Sequence, residues 1–302
     1  MEKVKNIGQD KLISICIPTF NRIEVLKELL DCLKAQSRPE LEIIVSDNGN
    51  DATDQLVSNY SIIYSRNDSN IGFDANVLRT IELATGKYCW LLNDSSRLKD
   101  GAIDYIIEAI KTKCDVYITK ANYEGDVIYE NGSAAICQEG AFGGKLNRVI
   151  LLRNKAVCTK SIPRTGPGFI HMELALRMAA DGRIGFVKDL QSQPRHSYSS
   201  NWAQIDGNVF FAYINLFDIY SSTIEWGYDT EVIEKVKNKL VLGFPLTLVS
   251  ARLYGLKISW LNFKYLFRFK TVLPISILIF LTPRFVLKLL KLLQIRLRYL
   301  TQ

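Results

Sequence analysis

The chain has 302 residues, enough for one large domain or a domain with an appendage. Its 48% hydrophobic and 23% charged residues are those of a globular protein, which excludes a disordered or fibrous chain, and two histidines, His171 and His196, are too few for a His-rich metal site. The formal charge of +7 points to an anionic partner: nucleic acid, phosphates or an acidic membrane surface.

The opening MEKVKNIGQDK is polar and carries no signal-peptide pattern. LISICIPTF (12–20) is an apolar, β-branched run stopped by Pro18 and Thr19, which predicts a buried strand. Positions 25, 26, 29, 30 and 33 of the next segment (22–36) are apolar at helical spacing. LEIIVSDN (41–48) is a second strand and IIYSRN (62–67) a third, weaker one. GFDANVLRTIELATG (72–86) reads as a helix ended by Gly86, KYCWLLND (87–94) as a fourth strand, 98–113 as a helix and DVYITKA (115–121) as a fifth strand. This alternation predicts a largely parallel sheet covered by helices, with ligands beyond the carboxyl ends of the strands. Thr19, Asn21, Asp47, Asn48, Asn67 and Asp94 stand at those ends and should converge on one edge.

Between 122 and 200 the pattern loosens. GDVIYENG (125–132) suggests a hairpin, and 165–187 a Gly/Pro loop, a helix, a turn and a strand. SQPRHSYSSNWAQIDGN (192–208) has the composition of a surface loop. The six cysteines form no C-x-x-C pair and sit mostly in apolar runs, as reduced cysteines of a cytosolic protein do. After Glu234 there is no acidic residue, against thirteen Lys and Arg between Lys235 and Arg298. The longest uncharged run near the end, 271–283, is too short to cross about 30 Å of hydrocarbon and contains Pro274 and Pro283. With the cations that follow it, 271–300 reads as an interfacial helix on an anionic membrane. Because these cations lie on an apolar tail and not on a polar face, a membrane fits them and nucleic acid does not. The expected division is 1–205 (halves 1–121 and 122–205), then a helical region 206–302.

Four short stretches carry the chemistry: SICIPTFNR, EIIVSDNGNDATD, NDSNIGFDANVLRTIELATGKYCWLLND and LKDGAI, in this order over roughly residues 12–110. Each is common alone, since Asp47 and the Asn70–Asn76 segment also read as helix caps. As a set they resemble the family 2 glycosyltransferases. That resemblance implies the Rossmann-like GT-A fold, a mostly parallel α/β sheet flanked by helices, here with a basic, apolar, helical C-terminal extension.

The resemblance also implies roles. Pro18, Thr19 and Asn21 would line the nucleotide. Asp47 would contact the base with Asn48 beside it, while Asn70, Gly72 and Asn76 frame base and ribose. Asp94 would stand near ribose and diphosphate. In the family the stretch after the fourth strand is rich in aspartate and binds Mg²⁺ or Mn²⁺, hard cations that want oxygen ligands. Here it reads NDSSRL, so Ser95 and Ser96 replace two carboxylates and leave Asp94 as the metal candidate. Metal dependence should be weaker than in the family, or Arg97, Arg164 or Arg195 should neutralise the diphosphate instead. The loop with Arg195, His196, Tyr198 and Trp202 is a candidate to close over the donor phosphates. The acceptor needs a general base, which the family keeps at a later helix start, matching GPGFIHMELALRMA. Glu173 is favoured by chemistry, being a carboxylate in a first helical turn. His171 is favoured by pattern, because similar sequences carry Pro-His where this chain has Ile170-His171.

Together these readings describe an inverting enzyme peripheral to the cytoplasmic face of the inner membrane. It would move a hexose or deoxyhexose from a nucleotide-sugar to a lipid-linked glycan, in O-antigen or capsule assembly. The competing readings are a nucleotidyltransferase, which would want a Gly-rich loop after the first strand that PTFNR lacks, and a catalytically impaired nucleotide-binding scaffold on the membrane.

Overall fold

In the computed structural model, residues 11–121, 123, 125–142, 144–159, 168–191, 208–253 and 291 are described. The chain divides into two compact units, Met1–Ser197 with Glu225–Tyr228, and Tyr198–Ile224 with Asp229–Gln302.

The first unit begins with β1 (Ile13–Thr19), α1 (Ile23–Ala35), β2 (Leu41–Asp47), α2 (Thr53–Val57), β3 (Ile63–Arg66), α3 (Phe73–Leu83), β4 (Tyr88–Leu91), α4 (Ala102–Ala109) and β5 (Val116–Lys120). It continues with β6 (Val127–Tyr129), α5 (Gly132–Glu139), β7 (Val149–Leu152), α6 (Arg153–Thr159), α7 (Ile170–Ala179) and β8 (Ile184–Lys188). One sheet runs in the order β3-β2-β1-β4-β7-β5-β8-β6. The pairs β1/β2, β1/β4, β2/β3 and β5/β8 are parallel, whereas β7 lies antiparallel between β4 and β5, and β6 is antiparallel to β8.

β1 is buried at every residue, as a central parallel strand must be. Its alternation divides the core between two faces. Ile13, Ile15 and Ile17 pack with Leu26, Leu29, Leu30 and Leu33 of α1 and with Ile103 and Ile106 of α4. On the other face the Cys16 thiol reaches the Thr80 carbonyl of α3 at 3.7 Å. The helix spacing read at 25, 26, 29, 30 and 33 is the buried stripe of α1.

Three expectations needed correction. The short run Val149–Leu152, read as part of no element, is a strand inserted into the sheet. The 125–132 segment does not form a local hairpin. Val127–Tyr129 pairs with β8, and Asn131 starts α5, its side-chain oxygen accepting from the Ala134 amide at 3.0 Å. The 98–113 helix is shorter than expected, because Leu98 bridges to Gln191 and the left-handed Gly101 (φ 76) precedes the first turn of α4.

In the second unit, α8 (Asn208–Ser222) packs on α9 (Thr230–Leu253), with Lys237 Nζ 5.1 Å from the centre of the Phe217 ring. Among the described residues, no helix is long and apolar enough to cross a membrane. The expected membrane tail at 271–300 lies outside the described residues but for Lys291.

Candidate functional site

Parallel pairing lines up the carboxyl ends of three strands. Thr19 of β1 stands beside Asp47 of β2, and Asp47 beside Arg66 of β3. Asp47 is fully buried, and a carboxylate there is tolerable only when paired and hydrogen-bonded. Its Oδ1 accepts from the Gly49 amide at 2.7 Å, and its Oδ2 from the Tyr64 hydroxyl at 2.8 Å and twice from the Arg66 guanidinium at 3.3 Å. Burial, then the neighbouring Asp47, pushes the Tyr64 hydroxyl well above its ordinary range.

Next to Asp47 is a lattice of asparagines. Asn48 donates its amide to the Thr19 carbonyl at 3.0 Å, and its side chain to Asn70 Oδ1 and the Gly72 carbonyl, both at 3.1 Å. Asn67 donates to Asn48 Oδ1 at 2.8 Å and to Asn76 Oδ1 at 3.1 Å, and Asn76 donates back to the Thr19 carbonyl at 3.1 Å. Gly72 has φ 86, open to glycine at no steric cost, and this sharp entry into α3 leaves Asn70 free to cap the Gly72 amide at 2.9 Å. Asn21, itself left-handed at φ 51, accepts from the Asn50 amide at 2.9 Å. Thus Thr19, Asn21, Asp47, Asn48, Asn70, Gly72 and Asn76 come together at one edge, with Pro18 buried in the strand behind them.

Asp94 joins the same edge. It is 4% exposed, with Oδ2 accepting from Thr19 Oγ1 at 3.2 Å and Oδ1 paired to Arg22 Nη1 at 2.8 Å. Burial raises its pKa above the ordinary carboxylate value, opposed by Arg22, Thr19, the Ser95 amide and Arg97. Ser96 is turned aside to Asn93 Oδ1 at 2.5 Å. A divalent ion prefers several oxygen ligands, carboxylates among them. The NDSSRL stretch offers one carboxylate, Asp94, with both oxygens engaged, and no group of three or more His, Cys, Asp or Glu suited to a metal exists among the described residues. This donor set does not fit a protein-held divalent ion. Arg97 is committed elsewhere, to Glu28 and to the Ser96 and Val25 carbonyls at 2.7 and 3.2 Å. Arg164 and Arg195 lie outside the described residues.

The two base candidates occupy the first turn of α7, and both are buried. Glu173 is ion-paired to Arg177 at 3.0 Å, and the Arg177 guanidinium stacks 4.0 Å from the Trp226 ring centre. His171 lies edge-on to Phe73 with ring centroids 6.4 Å apart and tilted against Phe169 at 5.9 Å. Phe73 directly follows Gly72, so His171 adjoins the asparagine lattice. Asp74 ties the two regions together by accepting from the Gly168 and Ile170 amides.

Arg22, Tyr64 and Arg66 were missed by sequence reasoning, and Asp74 was seen only as a first-turn residue of a capped helix. Arg22 was in view as the residue after Asn21 in PTFNR, and Arg66 as a cation at the end of the predicted third strand. Nothing local marks Tyr64, and nothing local shows that Asp74 serves another helix.

Over 116 residues the chain is 36% identical to abequosyltransferase RfbV of Salmonella typhimurium, covering 35% of each chain. It is 31% identical over 103 residues to the GalNAc(5)-diNAcBac-PP-undecaprenol beta-1,3-glucosyltransferase of Campylobacter jejuni, covering 32% of this chain and 33% of the relative. The matched region thus spans about a third of the length of either relative. The fold is similar to that of the mannosyltransferase PcManGT of Pyrobaculum calidifontis, solved with GDP-Man and Mn²⁺, at a TM-score of 0.58 and 14% identity over 82% of this chain and 75% of that one. Residues 14–169, more than half of the 302, match the family described as Glycosyl transferase family 2, and the chain belongs to it.

Proposed function

We propose that this chain transfers one sugar, with inversion, from a nucleotide-sugar to a lipid-linked saccharide at the cytoplasmic face of the inner membrane, in O-antigen or capsule assembly. The observation that carries the reading is the hydrogen-bonded edge of Thr19, Asp47, Asn48, Asn67, Asn70 and Asn76, beyond the carboxyl ends of β1 to β3. Such an edge is where α/β sheets bind nucleotides, and the family membership supports it. The names of the two relatives, an abequosyltransferase and a glucosyltransferase of an undecaprenol-linked saccharide, support a surface-glycan substrate.

In this reading the nucleoside lies on Asp47 and the asparagines, and the diphosphate lies towards Asp94. The acceptor hydroxyl gives its proton to a base on α7 as its oxygen bonds to the anomeric carbon. The bond from that carbon to the diphosphate oxygen breaks, and its electron pair leaves with the nucleoside diphosphate. His171 is the preferred base, since the Glu173 carboxylate is held by Arg177. Should Mg²⁺ or Mn²⁺ take part, Asp94 would hold it in place of its bonds to Arg22 and Thr19.

The test is calorimetry with UDP, GDP, CDP and dTDP. Preference for one base, weakened in Asn48→Ala, supports the reading, and no binding of any nucleotide sinks it. The membrane element has its own check. A protein ending at residue 270 should no longer sediment with anionic vesicles yet should still bind nucleotide, and continued sedimentation overturns that element.

A further inference from the structure

Arg22 and Asp94 meet where the family resemblance implies a metal ion. We propose that the Arg22 guanidinium replaces that ion, binding the donor diphosphate and carrying its charge as the donor bond breaks, so that nucleoside diphosphates bind without a divalent cation. This rests on the nucleotide-sugar reading and names the group that meets the phosphates.

Three observations carry it. First, Arg22 is delivered by the turn that ends β1. Asn21 takes a left-handed backbone and Arg22 stands at the N-cap position of α1, beside the Asp47–Asn48 edge. Second, the pair spans a step in exposure. Its partner Asp94 is 5% exposed and the Arg22 side chain 33%, so the guanidinium reaches from a buried carboxylate out to solvent. A guanidinium is planar, always charged and able to fork two phosphate oxygens, and holding it on Asp94 orients it in advance. Third, a metal ion would have to displace this pair. Asp94 has one oxygen on Arg22 and the other on Thr19, while the next two positions offer neutral serine hydroxyls. Arg97 also holds Asp94 in place, with a bond to its backbone carbonyl at 3.4 Å while ion-paired to Glu28.

The experiment is calorimetry on the full chain with the nucleoside diphosphate it prefers and with the parent nucleoside, in EDTA and in Mn²⁺. The proteins are wild type, Arg22→Ala, Arg22→Lys and the double variant Arg22→Ala/Asp94→Asn. Wild type should bind the diphosphate equally well in EDTA and in Mn²⁺. Arg22→Ala should lose about tenfold to a hundredfold of diphosphate affinity in EDTA, as expected for a hydrogen bond to a charged group, with nucleoside affinity unchanged. Arg22→Lys should fall between the two. The double variant should be as weak as Arg22→Ala, which separates loss of the phosphate contact from stranding of Asp94. Binding that requires Mn²⁺, or unaltered binding by Arg22→Ala in EDTA, overturns the proposal. Absence of binding by nucleoside and diphosphate alike would sink the nucleotide-sugar reading itself, and the role of Arg22 with it.

Discussion

Asp74 accepts a hydrogen bond from the Ile170 amide at 3.2 Å, across 96 positions of sequence. The acceptor is in the first turn of α3, one residue past the loop that Asn48 and Asn70 hold. The donor opens α7, the helix of the base candidates. Asp74 therefore serves α7 as a capping side chain supplied from another element, satisfying amides that the helix itself leaves without partners. Losing such a cap costs about 1 kcal/mol. Asp74→Ala should lose about that much in urea unfolding, with turnover falling and nucleotide affinity retained. Asp74→Asn, which keeps an acceptor oxygen, should recover most of both. If Asp74→Ala weakens nucleotide binding as much as turnover, its work is on the donor loop and not on α7.

His171 and Glu173 should separate by what their loss damages. Glu173 and Arg177 form a pair with side chains 2% and 13% exposed. Removing one partner of a buried pair strands the other charge, at a cost of about 3 kcal/mol or more. Glu173→Gln should thus be destabilised by about that much, and its activity should follow the folded fraction. His171→Ala should stay folded and lose roughly 10²- to 10⁴-fold in turnover, the usual contribution of a general base. A stable, inactive Glu173→Gln beside an active His171→Ala would reverse the assignment.

How much of this was legible in the sequence depended on the range of each interaction. α1 and β1 were legible because helical and strand periodicity are local. The convergence of polar residues at one edge was legible for a related reason. Thr19, Asp47 and Asn48 end apolar strands, and parallel strands bring their carboxyl ends to one side. β7 was not legible, since four apolar residues between charged ones fit a strand or a helix turn equally, and its antiparallel insertion depends on pairing between distant segments. Arg22 and Arg66 were missed, and Asp74 was read only as a first-turn residue, because their meaning lies in their partners. Arg66 matters only once register sets it beside Asp47, and Asp74 only once α7 has folded against α3.

Glu139 provides a pH-dependent prediction away from the site. Burial would raise its pKa, but hydrogen bonds from Lys120 at 2.6 Å, Tyr123 at 2.5 Å and Tyr129 at 2.7 Å outweigh it and hold the carboxyl below its ordinary value. A carboxylate whose folded pKa is depressed contributes stability above its unfolded pKa, and that stability is lost as pH falls through the folded value. Glu139→Gln should therefore be less stable than wild type at pH 7, by about 1–3 kcal/mol. The gap should begin to close as pH falls below the ordinary glutamate value of about 4.3 and should go on closing through the lower folded value. Urea midpoints measured across this range decide it: a gap that does not change with pH means that shape, not charge, holds the Lys120–Tyr123–Tyr129 cluster together.

Gly49 tests by size alone whether the Thr19–Asp47 edge binds the nucleotide as proposed. A Cβ added there would fall 2.4 Å from Asn21 Oδ1 and 2.8 Å from the Asn21 amide nitrogen, with Asp47 Oδ1 at 3.0 Å. The first two separations are below any real contact, and one of the atoms is backbone, so the turn after β1 must move. That movement would carry Asn21 and the adjoining Arg22 away from Asp94 and disturb the Gly49 amide bond to Asp47. Gly49→Ala should lower nucleotide affinity by about tenfold or more and destabilise the fold by about 1–3 kcal/mol, the usual range for overpacking. Gly125→Ala is the control, since nothing lies within 4 Å of its added Cβ. It should match wild type in both measurements. Calorimetry and urea unfolding on the pair would show whether close approach of β1 and β2 shapes the site. Equal nucleotide affinity in the two variants would mean that the edge tolerates separation of Asn21 from Asp47, and that the ligand makes its contacts elsewhere.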